Sequence, residues 1–213
     1  MQLHNHSRSS TSFRVRIALA MKGLSFDYLP VQIARNEQHQ PEFAARSPAR
    51  LVPLLVQGEQ TLSQSLAILE YLDEIQPLPP LLPADALGRA RVRSLALDIA
   101  CEIQPLTNLR VLRYLVKDLG ASEDSKNDWY RHWVETGLQA VEQRLASEAA
   151  TGVYCHGDQP GLADCVLVPQ VFIAQRFECR LDALPNVMRV FDACMALAAF
   201  RVASPPECPD AEA

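Results

Sequence analysis

His6-Ser7-Arg8-Ser9-Ser10-Thr11-Ser12 joins a strand start, Leu3 to Asn5, to the run Phe13 to Gly23. In that run Val15, Ala18, Leu19 and Lys22 recur at helical spacing, and Gly23 is a natural stop. A strand, a hydroxyl-rich loop and a helix open an α/β unit. Outward from it, Phe26 to Ile33 alternates as a strand, and Pro41 to Arg46 reads as a short helix. Leu51-Val52-Pro53-Leu54-Leu55-Val56 reads as a further strand. Gln57-Gly58-Glu59 makes a hairpin connection into Thr61-Leu62, and Ser65 to Ile75 is helical with Leu66, Leu69 and Leu72 on one side. The order is β-α-β-α-β-β-α. Pro77, Pro79, Pro80 and Pro83 then break any helix or central strand, so residues 76–86 are a linker.

Beyond the linker the alternation stops. Val92, Leu95, Ala96, Ile99 and Ile103 form one helical stripe, with Pro105 expected to kink or divide that helix. Trp129, Trp133, Val134, Leu138, Val141 and Leu145 form a second, and Val187, Val190, Phe191, Cys194 and Ala198 a third. Leu162 to Arg176 is apolar nearly all round and should be central. The fold class is α/β plus all-α: a small α/β domain over residues 1–80, then an all-helical domain over 86–213.

Composition excludes several classes. The 213 residues carry 20 Lys plus Arg against 25 Asp plus Glu, a net charge of −5, which argues against a nucleic-acid face. No apolar run is long enough to span a bilayer, and the N-terminus lacks a secretory pattern, so a cytoplasmic protein is expected. The six cysteines, Cys101, Cys155, Cys165, Cys179, Cys194 and Cys208, include no C-x-x-C pair and read as small buried hydrophobes of a reducing compartment. His4 and His6 share a strand side but lack a third ligand, so no metal is expected. His156 has no evident partner.

Four hydroxyls after Arg8 exceed what helix capping needs, since one side chain suffices. The helix start also carries free N–H donors and partial positive charge, so it suits an anion such as a thiolate. Val52-Pro53, read as a turned or cis peptide, would leave the Val52 N–H and C=O free for an extended ligand backbone. Gln64-Ser65 caps a helix or holds a carboxylate at its start.

The run Ser9-Ser10-Thr11-Ser12-Phe13-Arg14-Val15-Arg16-Ile17-Ala18-Leu19 resembles the Ser-Ser-Cys-Ser-x-Arg-Val-Arg-Ile-Ala-Leu signature of zeta-class glutathione transferases, the maleylacetoacetate and maleylpyruvate isomerases. Leu51-Val52-Pro53, Gln64-Ser65-Leu66-Ala67-Ile68, Ile103-Gln104-Pro105-Leu106, Asn108-Leu109 and Ala163-Asp164-Cys165 extend the likeness over nearly the whole chain. The resemblance implies a thioredoxin-like N-terminal domain, a helical C-terminal glutathione-transferase domain, a homodimer and glutathione as cosubstrate. Carried over by position, Ser9 is the thiolate partner, with Ser10 and Thr11 beside it as catalytic groups and Ser12 and Arg14 completing that stretch. Val52, before cis-Pro53, would pair with the cysteinyl backbone. Gln64 and Ser65 would hold the γ-glutamyl end, and Gln38, Gln104 and Asn108 would line the rest. Arg8, Arg110 and Arg176 would receive substrate carboxylates in a cleft between the domains.

The activity implied is cis–trans isomerisation of a maleyl diketo acid in aromatic catabolism. Arg110 favours maleylpyruvate over maleylacetoacetate, since bacterial maleylpyruvate isomerases resemble this chain there. Alternatives are a general zeta-class transferase acting on α-halo acids and a non-catalytic glutathione-binding protein. Two positions depart from the family pattern. Thr11 replaces its cysteine, and Gly161 replaces the Ser or Thr that opens a capping box ending at Asp164. Glycine caps nearly as well as threonine, so the second departure should cost only about a few tenths of a kcal/mol.

Overall fold

The computed structural model describes residues 1–211. The first elements are β1 (Gln2–Asn5), α1 (Ser10–Lys22), β2 (Asp27–Pro30), α2 (Pro41–Arg46), β3 (Leu54–Gln57), β4 (Gln60–Ser63) and α3 (Ser65–Ile75). The strands form one sheet in the order β2-β1-β3-β4, with β1 and β2 parallel and the remaining pairs antiparallel. This is the thioredoxin-like arrangement expected.

Both faces of the sheet are covered, which explains why β3 reads as continuous apolar sequence rather than alternating. Leu54 packs with Val31 and Phe43, while Leu55, pointing to the opposite face, is equally buried. In α3 the buried apolar residues are Ile68, Leu69 and Leu72, so the inner face lies slightly off the expected stripe, with Leu66 at its edge. Gly23 ends α1 in the left-handed conformation, as its position suggested.

The second set comprises α4 (Ala86–Leu97), α5 (Gln104–Thr107), α6 (Leu109–Lys117), α7 (Glu123–Ser147), α8 (Leu162–Arg176) and α9 (Pro185–Met195), followed by α10 (Ala198–Val202). The break expected at Pro105 begins earlier. Residues Asp98–Ile103 form a π-helical stretch, in which the Gln104 N–H donates to the Ile99 carbonyl, and α5 stops at Thr107. Proline offers no N–H to the turn before it, and the wider turn absorbs the mismatch. Gly137 of α7 packs there: a Cβ on it would stand 2.3 Å from Ile103 Cγ1. The apolar helix α8 is buried along most of its length. Its Asp164 accepts the N–H groups of Gly161 (2.8 Å) and Cys155 (2.9 Å). The reciprocal half of a capping box is missing because glycine has no side chain.

The chain divides into one unit of Met1–Leu81 plus the residues from Met195 on, and another of Leu82–Cys194. The domain drawn as 86–213 therefore ends at Cys194, and the tail joins the N-terminal unit. The physical reason is Arg16, buried in α1, whose guanidinium takes an acceptor from the tail, the Ala203 carbonyl at 2.8 Å. The cysteines are all free, and five are buried; Cys101 departs from the expectation by being exposed. No helix among the described residues is long and apolar enough to cross a membrane.

Candidate active site

Ser9 is the N-cap of α1, and its Oγ accepts the Ser12 N–H at 3.2 Å. Capping is therefore real, but it uses only one lone pair. Ser9 Oγ also lies 2.9 Å from Thr11 Oγ1, which donates to the Val52 carbonyl at 3.1 Å. A hydroxyl has one proton. Because the Thr11 proton goes to Val52, the shared contact must be Ser9 donating to Thr11. An anion arriving at the start of α1 would compete with Thr11 for the Ser9 proton alone. Ser10 is half-buried at the first position of the helix, where N–H groups have no intrahelical acceptor.

The Val52-Pro53 peptide is cis. The Val52 carbonyl is not free, as the sequence suggested, but holds Thr11; its second lone pair is still open. Thr11 thus ties the helix start to the turn before β3. Ser12 and Arg14 face inward. Ser12 Oγ accepts the His6 N–H at 3.5 Å, and Arg14, 1% exposed, donates from Nη1 to Ser65 Oγ at 3.3 Å.

At the start of α3, Gln64 has φ +69° and ψ +113° and makes no side-chain cap bond. A non-glycine residue with such a backbone costs about 1–3 kcal/mol and marks functional positions more often than others. The first N–H groups of α3 therefore have no side-chain cap, and a helix start of this kind favours an anion. Gln38 sits in the 3-10 turn Glu37–His39, buried, with Oε1 lacking any partner among the described residues. That orphaned acceptor is the kind of group a bound peptide N–H would satisfy.

In the other unit, Gln104 opens α5 and Asn108 caps α6, its Oδ1 accepting the Arg110 N–H at 3.1 Å. Arg110 is exposed, as are Arg8 of the N-terminal unit and Arg176 at the end of α8, and none of the three forms an ion pair among the described residues.

Sequence reasoning missed what lies behind the Ser9 loop. Arg16 donates to the carbonyls of His6 (3.3 Å) and Ser7 (3.0 Å), and Asp210 accepts the Ser7 N–H at 3.1 Å. Tyr28 also donates to Asp210, whose Oδ2 lies 3.4 Å from His6 Nδ1. Burial alone would raise the Asp210 carboxyl, but the bonds from Tyr28 and Ser7 outweigh it and hold it below the ordinary value. Burial lowers His6, a shift that Asp210 only partly offsets, and burial followed by Arg46 lowers His4. The one sequence signal was Arg16, a cation inside an apolar helical run.

Residues 1–74 match the glutathione S-transferase N-terminal domain, and residues 131–198 its C-terminal domain. The chain is 48% identical over 210 residues to a maleylpyruvate isomerase of Ralstonia sp., covering 99% of each. Among solved structures it is similar to a holo maleylpyruvate isomerase described as a bacterial zeta-class glutathione S-transferase, with TM-score 0.97, 48% identity and 99% of each chain covered. It is similar also to a maleylacetoacetate isomerase from Methylobacterium extorquens AM1 with bound malonate and glutathione, with TM-score 0.97, 37% identity and 100% of each chain covered.

Proposed function

The chain belongs to the glutathione S-transferase family, in its zeta class, and from that premise we propose that it isomerises maleylpyruvate or a closely similar maleyl diketo acid. Glutathione is the cosubstrate. The residues present fit it: free N–H donors at two helix starts, an orphaned buried acceptor on Gln38, and an open lone pair on Val52. The observation that carries the reading is the Ser9 hydroxyl at the α1 start, its proton held only by Thr11.

When bound, glutathione supplies a thiolate that adds reversibly to the cis double bond, making it single and free to turn before the thiolate leaves. The protein's part is electrostatic. Ser9 turns its O–H from Thr11 to the sulfur, and with the N–H groups of Ser10 and Thr11 it favours the charged form. Thr11 keeps Val52 in place for main-chain pairing with the tripeptide. Gln64 and Ser65 receive the γ-glutamyl carboxylate, with Arg14 behind Ser65. Gln38, Gln104 and Asn108 supply further polar contacts. Arg8, Arg110 and Arg176 are assigned to the substrate's carboxylates and developing enolate, for which forked donors are suited.

Maleylpyruvate, maleylacetoacetate and dichloroacetate should be tried side by side with glutathione consumption followed. Isomerisation of a maleyl substrate without net consumption supports the reading. Turnover of dichloroacetate alone overturns it in favour of a transferase of α-halo acids, and retention on glutathione resin without any turnover overturns it in favour of a binding protein. We further assign a cytoplasmic homodimer: light scattering at micromolar concentration should give about twice the 23.7 kDa chain mass.

A further inference from the structure

We propose that the C-terminal tail is part of the thiol-activating apparatus, with Asp210 a positioning residue for Ser9; this rests on Ser9 being the thiolate partner. The tail grips the His6–Ser7 peptide from both edges. On one edge, Asp210 Oδ2 takes the Ser7 N–H at 3.1 Å, and the Ser7 hydroxyl donates to the Asp210 carbonyl at 3.1 Å. On the other, the Ala203 carbonyl takes Arg16 Nε at 2.8 Å, and the same guanidinium holds the His6 and Ser7 carbonyls. The His6 carbonyl in turn accepts the Ser9 N–H at 3.0 Å. Ser9 is therefore one main-chain bond away from a peptide whose N–H and C=O are both fixed by the tail or by a side chain the tail orients.

Ser7, Arg16 and Asp210 are each at most 6% exposed, so the polar groups involved have no water to fall back on. Tyr28 adds a bond to the second oxygen of Asp210 and limits its rotation. The Ser9 hydroxyl must reach a sulfur while still accepting the Ser12 N–H, and a small drift of the Ser9 backbone weakens a donor whose value depends on alignment. Loss of the Asp210 grip should therefore raise the pKa of the bound thiol without removing any group that touches glutathione.

The test is a pH titration of the thiolate ultraviolet band in the complex of the full chain with glutathione alone, alongside steady-state kinetics. Asp210→Ala should move the midpoint up by about one pH unit, equivalent to about a tenfold loss of thiolate below it. At neutral pH kcat/KM should fall by a similar factor, with glutathione affinity within about twofold of the parent. Asp210→Asn, which keeps an acceptor for Ser7, should bring the midpoint most of the way back to the parent value. An Asn variant as impaired as the Ala variant overturns positioning in favour of the charge itself. Ser9→Ala separates the failures. A midpoint that moves there but not in Asp210→Ala overturns the inference alone, and one that moves in neither overturns the Ser9 assignment with it. Should Asp210→Ala not fold, Ser7→Ala removes only the hydroxyl bond to the tail and should give a smaller shift of the same sign; an unmoved midpoint there overturns the inference.

Discussion

Ser9 is an N-cap and is assigned a second job as thiolate partner, and a pair of substitutions separates the two. As N-cap it accepts the Ser12 N–H at 3.2 Å; as thiolate partner it donates the proton now directed at Thr11. Ser9→Ala removes both functions. Losing the cap costs about 1 kcal/mol, which lowers Tm by about 2–4 °C for a chain of this size. Losing a donor to a developing anion lowers turnover about ten- to a thousandfold. Ser9→Gly loses the same donor, but glycine caps at a cost of only about a few tenths of a kcal/mol relative to serine. The two variants should thus be equally inactive yet unequally stable. The assay is isomerisation at saturating glutathione across pH 6–8, with thermal unfolding of the same preparations. Activity that tracks Tm across parent, Gly and Ala refutes the assignment, as does an Ala variant with full activity throughout that range.

Thr11→Val should raise the glutathione KM several-fold with little change in Tm, because it frees the Val52 carbonyl, whereas Thr11→Ser should stay near the parent; calorimetric titration with glutathione checks both. Asp164→Ala should cost about 2–4 kcal/mol, since the Cys155 and Gly161 N–H groups lose their acceptor, and the urea midpoint measures it. His4 and His6 both have folded-state pKa values below the ordinary 6.5, so below that value the unfolded chain binds more protons than the folded one. Stability should accordingly fall from pH 7 towards pH 5, and His4→Gln with His6→Gln should flatten the Tm profile over that window. Arg110→Ala and Arg176→Ala should raise the diacid KM more than the glutathione KM, and Arg8→Ala should mainly lower kcat; equal shifts in both KM values refute the carboxylate assignment.

The N-terminal unit was legible because its signals are local. Gly23, the Pro41 helix start and the Gln57-Gly58-Glu59 turn each set a boundary through the conformation of one or two residues. The Ser9 loop stood out as a candidate because its hydroxyls exceed what capping needs. The break at Pro105 was legible too, but its form, a π-helical stretch that begins at Asp98, was not, because no local spacing records it. Local sequence leaves Gln64 as either a cap or a carboxylate holder, and its positive φ without a side-chain cap bond is visible only in the backbone geometry. Asp210 was invisible for the same reason as the tail boundary: its partners Ser7 and Tyr28 lie near the other end of the chain, and pairing at that separation leaves no periodicity.

That separation has a consequence in time. A ribosome adds about 5–20 residues per second, so roughly 6–26 s pass between the emergence of Leu81 and that of Asp210. During that interval the sheet and α1 can form, but the Ser7 N–H lacks Asp210 and Arg16 lacks the Ala203 carbonyl. A nascent chain can thus hold its sheet while the Ser9 loop still lacks the grip of the tail. The Ser9 loop reaches its native setting only after Asp210 has been translated.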